Sequence, residues 1–366
     1  ARSHMATEAF KIINGSFRYI EMTFIEVPFG TRQHWLGKPM TVDLTYEPTR
    51  PKPRPVKTDT RESLTALNQQ VLDAIVNDCP CELPLTEDVR YTENGVLVKP
   101  GSGGLWKTIK GIRDYRINLA DPDTQQSAWF GTLIENGLFA AVAMRLKVEN
   151  GYISHIDTII ARPEALGQRG ELKAATNTMF QSPYLADLDQ DAFDNIPAVL
   201  QNASRGSRRE IIQAVENYHQ AVVQRDASLA SFTSDCLRRE NGIRACDNPD
   251  GPQFNDERPD LRFYAGDLAT EINRGYLSKL TTLRDHQVWV VDEMRGLALA
   301  LTIFDNKAAS RTVNLDGAGT VAVPGSFLIP WTDLHAQLYK VEGGKIAHLE
   351  DLVRRVPYGQ RSGWTA

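Results

Sequence analysis

The sequence predicts an α+β protein built as a tandem repeat: two complete copies of one helix-and-strand unit, preceded by a duplicated strand hairpin. Three observations predict it. The chain ends on Gly344-Lys345-Ile346-Ala347-His348-Leu349-Glu350 and then Val356-Pro357-Tyr358-Gly359, and it begins on Gly15-Ser16-Phe17-Arg18-Tyr19-Ile20-Glu21 and then Val27-Pro28-Phe29-Gly30. The two stretches align without a gap, and Gly151-Tyr152-Ile153-Ser154-His155-Ile156-Asp157 is a third copy of their start. Two internal anchors also recur in the same order: Glu93-Asn94-Gly95 with Glu240-Asn241-Gly242, and Ile112-Arg113-Asp114-Tyr115 with Leu283-Arg284-Asp285-His286. Ordered recurrence of several motifs at a fixed spacing is the mark of duplication.

Within each copy the first element is a helix. Leu64, Leu67, Val71 and Ile75 in one copy, and Ile211, Val215, Tyr218 and Val222 in the other, fall at helical spacing and make an apolar stripe. Glu-Asn-Gly follows as a strand turn, since Asn tolerates left-handed φ, Gly needs no Cβ and Glu can cap nearby N–H groups. The Arg-Asp strand comes next. Arg284-Asp285 and Arg113-Asp114 offer internal ion pairs, but neighbours on a strand face opposite ways, so each needs a partner elsewhere. A long strand and the closing hairpin complete the copy, and its Asn-Gly or Gly-Gly turn supplies the positive φ of a tight hairpin.

The organisation expected is a tag remnant at 1–4 ahead of Met5, a partial repeat at 5–40, a Pro-rich spacer at 41–57, unit 1 at 58–166, a linker at 167–206 and unit 2 at 207–366. Four prolines between Pro48 and Pro55 read as extended polyproline-like chain. Asp187, Asp189, Asp191 and Asp194 superficially suggest a calcium loop, but the Gly and terminal Glu of that loop are missing, which favours a solvated acidic turn. Trp35 and Trp364 end their matching segments and are expected to clamp each tail onto a neighbouring surface.

At 366 residues the chain suits two domains. A net charge of −5 gives no basic face for nucleic acid. The longest apolar-rich run, Gly137 to Leu146, has the length of a strand rather than a membrane span. With Met5 taken as the start, the expectation is a cytoplasmic protein, or a secreted one if the native N-terminus was trimmed. Four cysteines make no dense framework: Cys79 and Cys81 flank Pro80, too close for an easy bridge, and Cys236 and Cys246 could pair across a loop. Their spacing makes no zinc site, so no metal is expected.

A helix, a small-residue turn and antiparallel strands ending in an x-Gly-Lys-Ile hairpin resemble the nuclear-transport-factor-2-like (SnoaL-like) superfamily. The strand turn at Asp292-Glu293-Met294-Arg295-Gly296-Leu297 and the Val-Pro-Tyr-Gly…Ser-Gly-Trp ending look like a SnoaL-like branch. The resemblance covers Thr58 to Trp364 and residues 6–35. It implies two cone-shaped units, each with helices closing over the concave face of a strongly curved antiparallel sheet. It also implies a largely apolar pocket with a few inward polar groups, and chemistry that needs no cofactor.

Unit 2 is richer in groups suited to such a pocket. The candidate acid/base set is His219, His286, His335, Tyr218 and Tyr339, because histidine titrates near working pH. His335 and Tyr339 share one strand face, and His219 lies at the edge of the helix's apolar stripe. Asp235 and Asp292 are the carboxylates that a hydrolase with an activated water would use. Arg284, Tyr115, Tyr91 and His155 are the substrate-binding candidates, the last three from a thinner set in unit 1. The leading expectation is a cofactor-independent lyase or isomerase acting on a small, partly hydrophobic carbonyl or hydroxyl compound. A non-catalytic binding or assembly module is the alternative. The expected partner is a small molecule, with self-association through the sheet or the N-terminal hairpin.

Overall fold

The computed structural model describes residues 54–135, 137–162, 191–255 and 257–364, together with two N-terminal strands, β1 (Arg2–Ile13) and β2 (Ser16–Pro28). Unit 1 contains α1 (Arg61–Val76), β3 (Leu85–Glu93), β4 (Val96–Leu97), α2 (Leu105–Thr108), β5 (Ile109–Asp121), β6 (Gln126–Glu135), β7 (Leu138–Glu149) and β8 (Tyr152–Ala161). Ahead of unit 2 comes α3 (Ala198–Gln201). Unit 2 repeats the order with α4 (Arg208–Gln224), β9 (Phe232–Glu240), β10 (Ile243–Arg244), β13 (Thr282–Asp292), β14 (Leu297–Asn306), β17 (Trp331–Glu342) and β18 (Lys345–Val356). It also carries elements with no counterpart among the described residues of unit 1: β11 (Gln253–Asn255), β12 (Arg258–Arg262), α5 (Leu268–Arg274), β15 (Thr312–Leu315) and β16 (Gly319–Ala322). A short helix α6 (Tyr276–Leu280) precedes β13 as α2 precedes β5.

The two six-stranded sheets have matching orders, β4-β3-β8-β7-β6-β5 and β10-β9-β18-β17-β14-β13. Glu-Asn-Gly occupies the same turn in both, between β3 and β4 and between β9 and β10. The sheets are antiparallel except for one pair in each: β3 runs parallel to β8, and β9 parallel to β18. After the first short hairpin the chain crosses to the far edge of the sheet and lays down four antiparallel strands, the last of which returns alongside the first strand of the unit in the same direction.

Local signals start the helices. Thr60 with Ser63, and Ser207 with Glu210, form reciprocal capping boxes that satisfy amides otherwise left open at the helix start. Each helix buries its apolar stripe on one face of its own sheet: Leu64, Leu67, Val71 and Ile75 in unit 1, and Ile211, Val215 and Tyr218 in unit 2. Fully burying one such aliphatic side chain contributes about 1.5–3 kcal/mol.

The other faces of the sheets meet each other. In β7, Ala140, Val142, Met144 and Leu146 join the unit 1 core, while Phe139, Ala141 and Ala143 join a core shared with Leu299, Leu301, Leu334, Ala336 and Leu338 of unit 2. Burial on both faces explains why this strand reads as a continuous apolar run rather than an alternating one.

The junction has reciprocal contacts. Asp121, at the end of β5, accepts from the Val291 amide at 3.1 Å and from Arg208 at 2.7 Å. Asp292, at the end of β13, accepts from the Ala120 amide at 3.3 Å and from Arg61 at 3.0 Å. Each unit thus lends an aspartate to the other's strand end and helix start, as in an isologous dimer interface. The C-terminal tail adds a strap. Gln360 donates to the Asn94 carbonyl at 2.5 Å, and Trp364 packs edge-on against Trp289. Gly95 is required there: a Cβ would come 2.2 Å from the Arg361 carbonyl oxygen.

The N-terminal strands β1 and β2 pair as the expected hairpin, in a two-stranded sheet of their own. Other expectations change. The linker is partly structural, because Phe193 and Leu200 are buried in the shared core. Asp194 stands in an exposed turn, as expected, and pairs there with Arg113 at 2.8 Å. Arg284 reaches Asp285 at 2.7 Å directly, because Asp285 takes a left-handed φ of 52° at a register shift and the alternation of faces breaks there. Asp187, Asp189, Trp35 and Pro48 to Pro53 lie outside the described residues.

Candidate active site

Strand alternation places Arg238 and Glu240 on one face of β9, and His335, Gln337 and Tyr339 on one face of β17. Asp351 of β18 lies between the two strands, paired in register with Glu240 on one side and Gln337 on the other. Tyr218 and His219 approach from α4, the inserted segment adds Phe263, Tyr264, Leu268 and Glu271, and α6 adds Tyr276. Together these elements bound a cavity of about 70 Å³, lined by Tyr218, His219, Arg238, Glu240, Tyr264, Glu271, Gln337 and Tyr339 among apolar neighbours.

Its polar wall is one connected network. Glu240, 3% exposed, accepts from Arg238 and from the Tyr264 hydroxyl. The same Arg238 nitrogen lies 3.3 Å from Asp351, whose side chain is fully buried. Asp351 is also held by His335 Nδ1 at 2.9 Å and by Gln337 at 3.2 Å. Gln337 in turn accepts from Tyr339 and Thr302. One arginine therefore bridges two carboxylates. Among the described residues, Asp351 Oδ1 and Arg238 Nε are buried with no hydrogen-bond partner.

Burial works against charge on Asp351, but His335 and Arg238 outweigh it and hold the carboxyl below its ordinary range. Burial likewise opposes the His335 imidazolium, and Asp351 outweighs it, so this histidine titrates above its ordinary value. Burial pushes the Tyr218 and Tyr339 hydroxyls upward, so both stay protonated donors at neutral pH.

The family model described as a domain of unknown function, DUF8021, matches residues 57–160 and 204–353. The chain belongs to this family. Each DUF8021 span carries one helix-led, six-stranded sheet, and the two sheets share one strand order, in keeping with the tandem repeat read from the sequence. Among solved structures, one that resembles part of this DUF8021 chain is an LEH-like epoxide hydrolase of M. tuberculosis, at 14% identity over 40% of this chain and 84% of that one, with a TM-score of 0.25. Another is an NTF2-like protein of Burkholderia thailandensis, at 13% identity over 39% of this chain and 90% of that one, with a TM-score of 0.23. No curated protein matches the sequence.

Of the predicted catalytic set, Tyr218, His219 and Tyr339 line the cavity of this DUF8021 protein. His335 sits behind the wall, 2% exposed, with its Nδ1 engaged by Asp351. His286 stacks flat on His219 with ring centroids 3.8 Å apart, but its Nδ1 is turned to Thr302 and it is not at the wall. Burial holds the His286 imidazole down to about 3, so it is neutral at working pH.

The other candidates lie away from this cavity. Asp235 is exposed on β9. Asp292 belongs to the junction between units. Arg284 is engaged by Asp305, Asp285 and the Gln360 carbonyl. Tyr115 is buried in the shared core against Phe193. His155 bonds Ser154 and is half-buried on β8, an interior strand of unit 1. Tyr91 lies in unit 1, where it bonds Glu93 and packs edge-on against Trp106. There Glu93 also accepts from the Leu105 amide at 2.7 Å, so α2 plugs the place where unit 2 has its cavity.

Sequence reasoning missed Glu240, Arg238, Asp351 and Tyr264. Glu240 was read as part of a turn, and the turn reading holds for Asn241. An available signal was Arg238-Arg239-Glu240, which puts opposite charges two apart on one strand face.

Proposed function

We propose that unit 2 is a cofactor-independent acid/base site that moves a proton on a small, partly hydrophobic carbonyl or hydroxyl compound, in an isomerisation or elimination. The observation that carries this reading is Glu240, a nearly buried carboxylate at the cavity wall, with Arg238 between it and buried Asp351. Glu240 is the base that takes the substrate proton. Arg238, with an unused N–H, and the protonated Tyr218 donate to the oxygen on which negative charge develops. Preorganised donors in a water-poor cavity stabilise such charge far more than they do in water. The His335–Asp351 pair positions Arg238 rather than touching substrate.

A hydrolase is the second reading, favoured by one observation. Two carboxylates share an arginine, and Asp351 Oδ1 has no partner, a place where a water could be held and deprotonated. Asp235 and Asp292, expected for that role from sequence, are replaced by Glu240 and Asp351.

Incubating the protein with a panel of small ketones, alcohols and epoxides separates the readings. Deuterium uptake at carbon in D2O marks proton abstraction, and oxygen-18 uptake from labelled water marks hydrolysis. Glu240→Gln should slow either reaction at least about a hundredfold. Binding without either isotope entering product assigns the cavity to a binding module.

A further inference from the structure

The charge arithmetic of the cavity leads to a substrate class. Arg238 is the only cationic side chain among the lining residues, and its charge is already met by Glu240 and by Asp351. Arg238, Glu240 and Asp351 together sum to one negative charge, and His335 behind Asp351 brings that sum no higher than zero. A second carboxylate, Glu271, also lines the wall, held by the Gly266 amide at 2.8 Å and by Arg274 at 3.1 Å. The wall therefore presents no net positive charge to a ligand. A bound carboxylate or phosphate would leave water to sit beside two anions, and an unpaired buried charge is strongly disfavoured.

The wall does keep unused hydrogen-bond capacity of one kind. Among the described residues, Arg238 Nε is buried without an acceptor. Among the described residues the Tyr218 hydroxyl also makes no hydrogen bond. Donors without spare charge suit an uncharged oxygen, and the remaining wall, with Val222, Phe263, Leu268, Ile272 and Phe304, suits a hydrocarbon body.

We infer that the unit 2 cavity selects uncharged, oxygen-bearing small molecules and rejects their carboxylates, with Glu240 setting that choice by neutralising Arg238. This rests on the cavity being the substrate site, but not on what reaction occurs there. It also carries a gain-of-binding consequence. Removing the charge of Glu240 leaves Arg238 facing Asp351 alone and tilts the wall toward anions.

The test uses the whole chain and matched skeletons: 3-methyl-2-butanone, 3-methyl-2-butanol and 3-methylbutanoate, titrated at pH 7.5 by saturation-transfer NMR. The wild-type protein is expected to bind the ketone and alcohol at least tenfold more tightly than the carboxylate. In Glu240→Gln the carboxylate should gain at least tenfold and reach the affinity of the ketone. Equal or tighter binding of the carboxylate by the wild-type protein overturns the inference, as does failure of both neutral compounds to bind, or an unchanged carboxylate affinity in a folded Glu240→Gln. The wild-type comparison decides the matter if that variant does not fold. Selective binding of the neutral compounds without isotope exchange would retire the catalytic reading and leave the charge selection standing.

Discussion

Replacing Asp292 with alanine tests whether the two units are held as one body by their reciprocal aspartates. Its side chain is 1% exposed and accepts from Arg61 at 3.0 Å, from the Ala120 amide at 3.3 Å and from the Arg295 amide at 3.3 Å. A hydrogen bond to a charged group contributes about 1.5–3 kcal/mol net. The Arg61 partner is 27% exposed, which screens its share. Removing the carboxylate also strands the buried Ala120 amide, so the expected loss is about 3–5 kcal/mol. Asn at this position keeps an acceptor oxygen without the charge and should lose roughly half as much. Asp235→Ala, at an exposed position, serves as the reference and should stay within about 0.5 kcal/mol of the parent. Urea unfolding followed by tryptophan fluorescence is well placed to read this, since Trp289 and Trp364 lie in the shared core. Asp121→Ala should cost a similar amount, and the double variant should be non-additive because the two strand ends touch. An Asp292→Ala protein within about 1 kcal/mol of the parent would refute the reasoning, since it would mean that water replaces these contacts at no cost.

Other consequences are open to measurement. Arg145 is 1% exposed, pairs with Asp157 at 2.9 Å and lies over the Trp289 ring; Arg145→Leu should cost about 3–5 kcal/mol in urea unfolding by stranding a buried carboxylate, and a neutral result would contradict the pairing. Because the His335 value is raised, its contribution to stability is fully present below pH 6.5 and is lost as pH rises through the folded-state value. Because the Asp351 value is lowered, its contribution is present above pH 3.8 and is lost as pH falls through the folded-state value. The pair therefore supports folding most between those limits, and His335→Gln should flatten the alkaline limb of the stability profile; parallel profiles for parent and variant would count against the pair. Deleting residues 6–35 should lower the melting temperature or change the oligomeric state, because an isolated hairpin is marginal in water; unchanged melting and unchanged sedimentation would make it a passenger.

The duplication was legible in the chain because hairpin glycines, Asn-Gly turns and apolar stripes are local requirements, met by particular residues at fixed spacing. Helical spacing at Leu64, Leu67, Val71 and Ile75, and the Glu-Asn-Gly turns, needed no knowledge of what lies across the sheet. The site was legible only in part. Tyr218, His219 and Tyr339 stood out by residue type and periodicity, and they line the cavity. Asp235 and Asp292 stood out equally and do not. Whether a carboxylate faces a cavity, a neighbouring unit or solvent depends on strand register and on which face is covered. Register placed Asp351 beside Glu240, and the insertion bearing Tyr264 and Glu271 left unit 2 a cavity where unit 1 is plugged at Leu105 and Trp106. Local pattern determines which backbone a segment adopts, because φ, ψ and amphipathicity are properties of neighbours in sequence. Charge pairing and enclosed space are properties of neighbours in space, and those were decided when the two sheets closed on one another and on their helices.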